Sequence, residues 1–239
     1  VITYQPAAEW LERVDELHRK KDEKFADAAG VSVDDYRTAA LSQLRGFVDG
    51  VEVLVRIRSE RLTALLDEKV WRTLFDGVGS AGLNDLPVRT RVEQNVLGIP
   101  STADPAERPT YGYLAGSDET GVVMYGDVIL HLGAESRKSV TFCMADSLNA
   151  TEGGDHPVLA AAPLEAPELI ARHGETDICE AGSLLDACNP QDGYAEAHIH
   201  NQIRLLDIEW AAFTKREPDA NLVRTLLDND IPFVPPEGQ

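Results

Sequence analysis

The alternating run at residues 51–58 constrains this chain more than any other feature. Val51, Val53, Val55 and Ile57 alternate with Glu52, Leu54, Arg56 and Arg58. Successive side chains of a strand point to opposite faces, so the run predicts a strand with one apolar face. It also marks a change of texture, because the fifty residues before it carry helical periods. Trp10, Val14, Leu17 and Phe25 keep an i, i+4, i+7 rhythm and predict a helix over 8–30, stopped by Gly30. Ser32 reads as the N-cap of a second helix, with Asp34 and Asp35 placed to favour its dipole. Tyr36, Ala40, Leu44 and Phe47 form its apolar stripe and Gly50 ends it. Residues 1–50 are thus expected to be a helical hairpin.

After the strand, Leu62, Leu65 and Leu66 predict a helix over 60–69. Residues 76–84 hold three glycines and read as an irregular loop without the G-x-G-x-x-G order of a dinucleotide fingerprint. Strands are expected at 109–114, at 122–132 with a break at Gly126, and at 138–144. Residues 149–193 are rich in Gly, Pro, Ala and acids and read as a long insertion with one helix near 165–173. Strands resume at 194–200 and 203–209, and a last helix spans 219–229. Helices, then strand, helix and several strands favour an α+β fold with a mixed, mostly antiparallel sheet over residues 51–239.

Charge narrows the partners. Lys and Arg number 22 and Asp and Glu 41, a formal charge of −19. Such a chain is disfavoured as a nucleic-acid binder, which needs a basic surface, so a protein or small-molecule partner is expected. The 43% hydrophobic fraction is too high for an acidic disordered chain. No apolar run approaches the roughly 20 residues of a membrane-spanning helix, and the opening residues do not read as a signal peptide, so no membrane is expected. Cys143, Cys179 and Cys188 are a sparse, odd set that reads as reduced thiols.

Four groups of residues could carry chemistry. Arg56 and Arg58, two apart on a strand, share a face with Leu54 and need anions, either acidic side chains or a ligand phosphate. In 194–200, Tyr194, Glu196, His198 and His200 face one way, and Ala195, Ala197 and Ile199 face the core. His198-x-His200 has metal-ligand spacing, yet third and fourth ligands cannot be named beyond Glu196 or Asp207, so the two histidines are weak metal candidates and no metal is expected. Ser139, Thr141 and Cys143 share a strand face ahead of Asp146 and Ser147. Tyr111 and Tyr113 flank Gly112, which permits close backbone approach, and either ring could stack on a planar group or simply pack in the sheet.

These blocks, in order, resemble a domain associated with phage minor head proteins. They are Val53–Arg58, Leu65–Glu68, Trp71–Phe75, Arg108–Leu114, Tyr125–Val128, Thr141-Phe142 with Asp146–Leu148, and Tyr194–His200. That domain in turn is similar to the ADP-ribosyltransferases of bacterial toxins and phage effectors. The resemblance implies an NAD-consuming transferase or NAD glycohydrolase, cytoplasmic or virion-associated, with residues 1–50 available to a larger assembly. It implies Glu196 as the catalytic acid, Arg56 or Arg58 on the NAD pyrophosphate, Ser139 and Thr141 in place of a Ser-Thr-Ser strand, and Tyr111, Tyr113 or Tyr194 against the nicotinamide. The pattern departs at one point: no Glu-x-Glu is present, which weighs against transfer to a protein arginine. The alternatives are a head-associated protein that keeps the fold without chemistry, and a metal-dependent hydrolase built on His198 and His200.

Overall fold

The computed structural model describes residues 6–69, 71, 73, 75, 86–116, 120–144, 146–149, 161–167 and 195–236. Helix α1 spans Ala8–Ala29 and helix α2 spans Val33–Val48. Gly30 turns the chain at φ +69°, a left-handed conformation that costs glycine little. The Ser32 hydroxyl then accepts the Asp35 N–H at 3.1 Å. Buried Asp22 of α1 takes the Arg37 Nε–H of α2 at 2.7 Å, which ties the two helices together.

The strands β1 (Val53–Ile57), β2 (Thr110–Leu114), β3 (Val128–Leu132), β4 (Val140–Cys143), β5 (Ala162–Pro163), β6 (Glu196–Ile199), β7 (Ile208–Phe213) and β8 (Phe233–Val234) make one sheet. Its order is β5-β4-β6-β2-β1-β3-β7-β8. Every neighbouring pair is antiparallel except β7 and β8. Helix α3 (Ser59–Glu68) follows β1, and the C-terminal helix lies at Ala220–Asp228. The fold is α+β.

The period-two pattern of β1 sorts its side chains as the sequence requires. Val53, Val55 and Ile57 enter the main core with Leu130 of β3, Ala197 of β6, Leu44 of α2 and Leu62 of α3. The opposite face is covered in two halves. Over one end, Leu54, Tyr113 and Ile129 pack under Val122. Over the other lies helix α4 (Leu86–Val92), which runs into a π-helical turn at Glu93–Leu97. Val92, Val96, Leu97 and Ile99 cluster there with Trp10 and Val14 of α1 and with Cys143 of β4.

Several expected boundaries move. Residues 120–125 are a 3-10 turn rather than strand, because Val122 turns inward while Val123 and Met124 stay exposed. The expected strand at 138–144 shortens to Val140–Cys143 behind another such turn at Ala134–Ser139. The strand expected at 203–209 begins at Ile208 and runs on to Phe213. The Asp207 carboxylate holds the preceding turn by accepting the Arg204 N–H at 2.9 Å. Residues 165–167 do not start a helix, and the rest of that expected helix lies outside the described residues, as do the 76–84 loop, Cys179, Cys188 and Tyr194. Helix α4 has no counterpart among the expected elements.

Candidate functional site

The site is a buried polar layer between the β4-β6-β2 part of the sheet and α4. Strand registers build it. His198 lies opposite Thr141 on one side and Tyr111 on the other, and Glu196 lies opposite Cys143 and Tyr113. Antiparallel partners share a face, so Thr141, Cys143, Glu196, His198, Tyr111 and Tyr113 all point away from the main core. Ala195, Ala197 and Ile199 enter that core, as their alternation predicts.

Glu196 and His198 are 2% and 0% exposed, far from the solvated ledge that polar residues on a strand face would suggest. His198 Nε2 lies 2.8 Å from Glu196 Oε1, which also accepts the Ser147 N–H at 3.2 Å. Burial opposes the charge on Glu196. The hydrogen bond and charge of His198, then the charge of Arg89 and the Ser147 side chain, outweigh it and hold the carboxyl below its usual range. His198 Nδ1 is 3.2 Å from Thr141 Oγ1, and the same hydroxyl is 2.8 Å from His200 Nε2. His200 and His198 therefore share the Thr141 hydroxyl, while the close group around His198 Nε2 is Glu196 and Cys143.

Burial, followed by the neighbouring His198, pushes the His200 pKa from 6.5 down to about 3. Between those values the unfolded chain takes up a proton that the folded chain refuses. The stability this confers is present above pH 6.5 and is lost as the pH falls toward 3. The denaturant midpoint is expected to drop on acidification through that window, and His200→Gln should shallow the drop. Identical pH profiles for the two proteins would acquit His200.

The missing side of the site comes from α4. Arg89 and Glu93, four apart, point down together, 4% and 0% exposed. The Arg89 guanidinium lies 3.9 Å above the centre of the Tyr111 ring and donates from Nη1 to Ser147 Oγ at 3.1 Å. Its Nε–H has no acceptor among the described residues. Burial works against its charge, but Tyr111, Glu196, Asp146 and Glu93 together raise its pKa. Glu93 accepts the Tyr111 hydroxyl at 2.6 Å and pairs with Arg108, which also donates to Ser101 O at 2.9 Å and stacks on Phe75. Burial raises the Glu93 pKa despite these partners, and burial and then Glu93 raise that of Tyr111.

The other sequence candidates lie elsewhere. Arg56 donates to Gly126 O at 3.1 Å and Thr214 Oγ1 at 3.2 Å. Arg58 is not on the strand; it is the N-cap position of α3. Tyr113 is buried in the apolar cluster with Leu54 and Ile129, and Ser139 donates to Ser136 O. Asp207 is engaged with Arg204. Arg89 and Glu93 are not among the residues the sequence singles out, and Arg108 is there only as the first residue of the Arg108–Leu114 block. The one signal was Val88, Val92 and Val96 at i, i+4 with an Arg89/Glu93 pair at the same spacing.

No family model and no curated protein matches the sequence. Among solved structures, similarity is found to DarT of Thermus sp. 2.9. One, in complex with carba-NAD+, is 10% identical with a TM-score of 0.45 over 78% of this chain and 95% of that one. A second, in complex with ADP-ribosylated ssDNA, is 11% identical with a TM-score of 0.44 over 77% and 91%.

Proposed function

We propose that this protein consumes NAD as an ADP-ribosyltransferase or NAD glycohydrolase, with Glu196 as its acid and Arg89 as the cation beside it. The observation that carries the reading is Arg89 itself. A buried guanidinium whose Nε–H has no acceptor among the described residues rests on an aromatic ring and on Ser147, and the Ser147 N–H holds an ionised carboxylate. Buried donors are rarely left unpaired, so an acceptor supplied by a ligand suits this position.

Breaking the bond between the ribose and nicotinamide leaves positive charge on the sugar, which a fixed carboxylate stabilises where water is excluded. Glu196 meets both requirements. Nicotinamide in NAD is a flat cation, and Tyr111 already holds a flat cation on its face. Entry of NAD would move Arg89 off that ring and toward the dinucleotide's oxygens. Arg56 and Arg58 are left to secure β1 and α3. The acceptor would be water, a small molecule or a protein, in keeping with the −19 charge.

Purified protein should release nicotinamide from NAD, and Glu196→Gln should lower the rate by about 100-fold or more, the scale of losing one preorganised electrostatic group. Turnover at the wild-type rate in that variant would take Glu196 out of the mechanism. A second reading, a phage head-associated protein that keeps the fold without chemistry, is favoured by the near-complete burial of Glu196 and His198. It predicts neither nicotinamide release nor any rise in melting temperature with NAD.

A further inference from the structure

We propose that Cys143, Glu196 and His198 form a zinc-class cation site, and that a cation there takes Glu196 away from NAD. The second half rests on the enzymatic reading above; the first does not. One sulfur, one carboxylate oxygen and one imidazole nitrogen lie within 4.8 Å of one another, each on a buried residue. Strand geometry makes the triangle: Glu196 and His198 are two apart on β6, and Cys143 is the cross-strand partner of Glu196 on β4.

The dimensions suit a tetrahedral ion. Bonds of about 2.0–2.1 Å to nitrogen and oxygen and about 2.3 Å to sulfur place nitrogen and oxygen about 3.3 Å apart, and nitrogen and sulfur about 3.6 Å apart. The present separations are 2.8 Å for His198 Nε2 to Glu196 Oε1 and 4.0 Å for His198 Nε2 to Cys143 Sγ. Movements of about half an ångström would bring these two edges to that geometry, and the third, sulfur to carboxylate oxygen, is within 4.8 Å. The outer contacts are in place: Thr141 Oγ1 meets His198 Nδ1, which leaves Nε2 for a metal, and the Ser147 N–H fixes the carboxylate. A thiolate and an imidazole select zinc or cobalt over magnesium or calcium. Binding replaces protons: the Cys143 thiol proton, and any proton held between His198 and Glu196, pass to solvent as the metal–sulfur and metal–nitrogen bonds form.

The test titrates the chelator-treated chain with Co2+, without NAD. The expected result is a thiolate-to-cobalt absorption band that saturates at one equivalent and is bleached by Zn2+. Cys143→Ser should lose the band, and a double Cys179→Ser, Cys188→Ser variant should keep it. Thr141→Val, which retains all three ligands, should bind Co2+ about 10–100-fold more weakly with the band intact. A wild-type protein without the band, or a band that survives Cys143→Ser, overturns the site. Where NAD is cleaved, Zn2+ should inhibit the wild-type enzyme but not Cys143→Ser; equal inhibition of both overturns the link to Glu196. If no NAD is cleaved, the enzymatic reading and that link fall together, and the cobalt spectrum still decides the site.

Discussion

Glu93→Ala is expected to cost about 3–5 kcal/mol of folding stability, the range for breaking a buried ion pair from one side. The variant leaves the Arg108 guanidinium, 5% exposed, with Ser101 O and the Phe75 ring but no carboxylate, and removes the acceptor of the Tyr111 hydroxyl. For a chain of this length the melting temperature should fall by on the order of 10 °C. Glu93→Gln keeps an oxygen for one of the two partners and should fall less. Thermal unfolding of both variants checks this. A loss below about 1 kcal/mol for Glu93→Ala would mean that water reaches Arg108 and that the layer under α4 is not sealed.

The second large effect is a backbone one. A Cβ placed on Gly126 would lie 2.1 Å from Ile57 O and 2.2 Å from Ile57 C. One placed on Gly112 would lie 2.3 Å from Leu54 O. Both obstacles are main chain of β1, which cannot swing aside as a side chain can. Gly126→Ala should therefore cost about 3 kcal/mol or more, at or beyond the upper end of ordinary overpacking. It should also loosen the start of α3, where Asp127 accepts the Ser59 N–H at 2.9 Å and the Ser59 hydroxyl at 2.5 Å. Denaturant unfolding measures the loss, and amide exchange at Ser59 reports the loosening. A variant as stable as the wild type would show that β1 and this turn do not approach as closely as described.

The parts of this fold that were legible in the sequence are those decided by local periodicity. The alternation of 51–58 gave β1 its buried face, the Ser32 hydroxyl caps α2, and Gly112 brings β2 against β1 as its lack of a side chain allows. The alternation of 195–199 likewise put Glu196 and His198 on one face. Local rules do not reveal what covers that face. An Arg89/Glu93 pair at i, i+4 has the pattern of a solvent-facing salt bridge, yet both side chains point into the protein. Their burial depends on sheet neighbours distant in the chain. Arg56 illustrates the converse: it sits on a suitable strand and face, but Gly126 and Thr214 occupy its guanidinium.

The order β4-β6-β2 has a consequence for how the protein is made. The strand that carries Glu196 and His198 is synthesised after both of its neighbours, yet it lies between them. Until it emerges and inserts, β2 and β4 each present an unpaired edge, the kind of surface that recruits other chains. Insertion also closes contacts between distant parts of the sequence, which slows folding. The Glu196–His198 layer therefore forms in the same step that seals the sheet, so a nascent chain cannot hold the acid before its fold is complete.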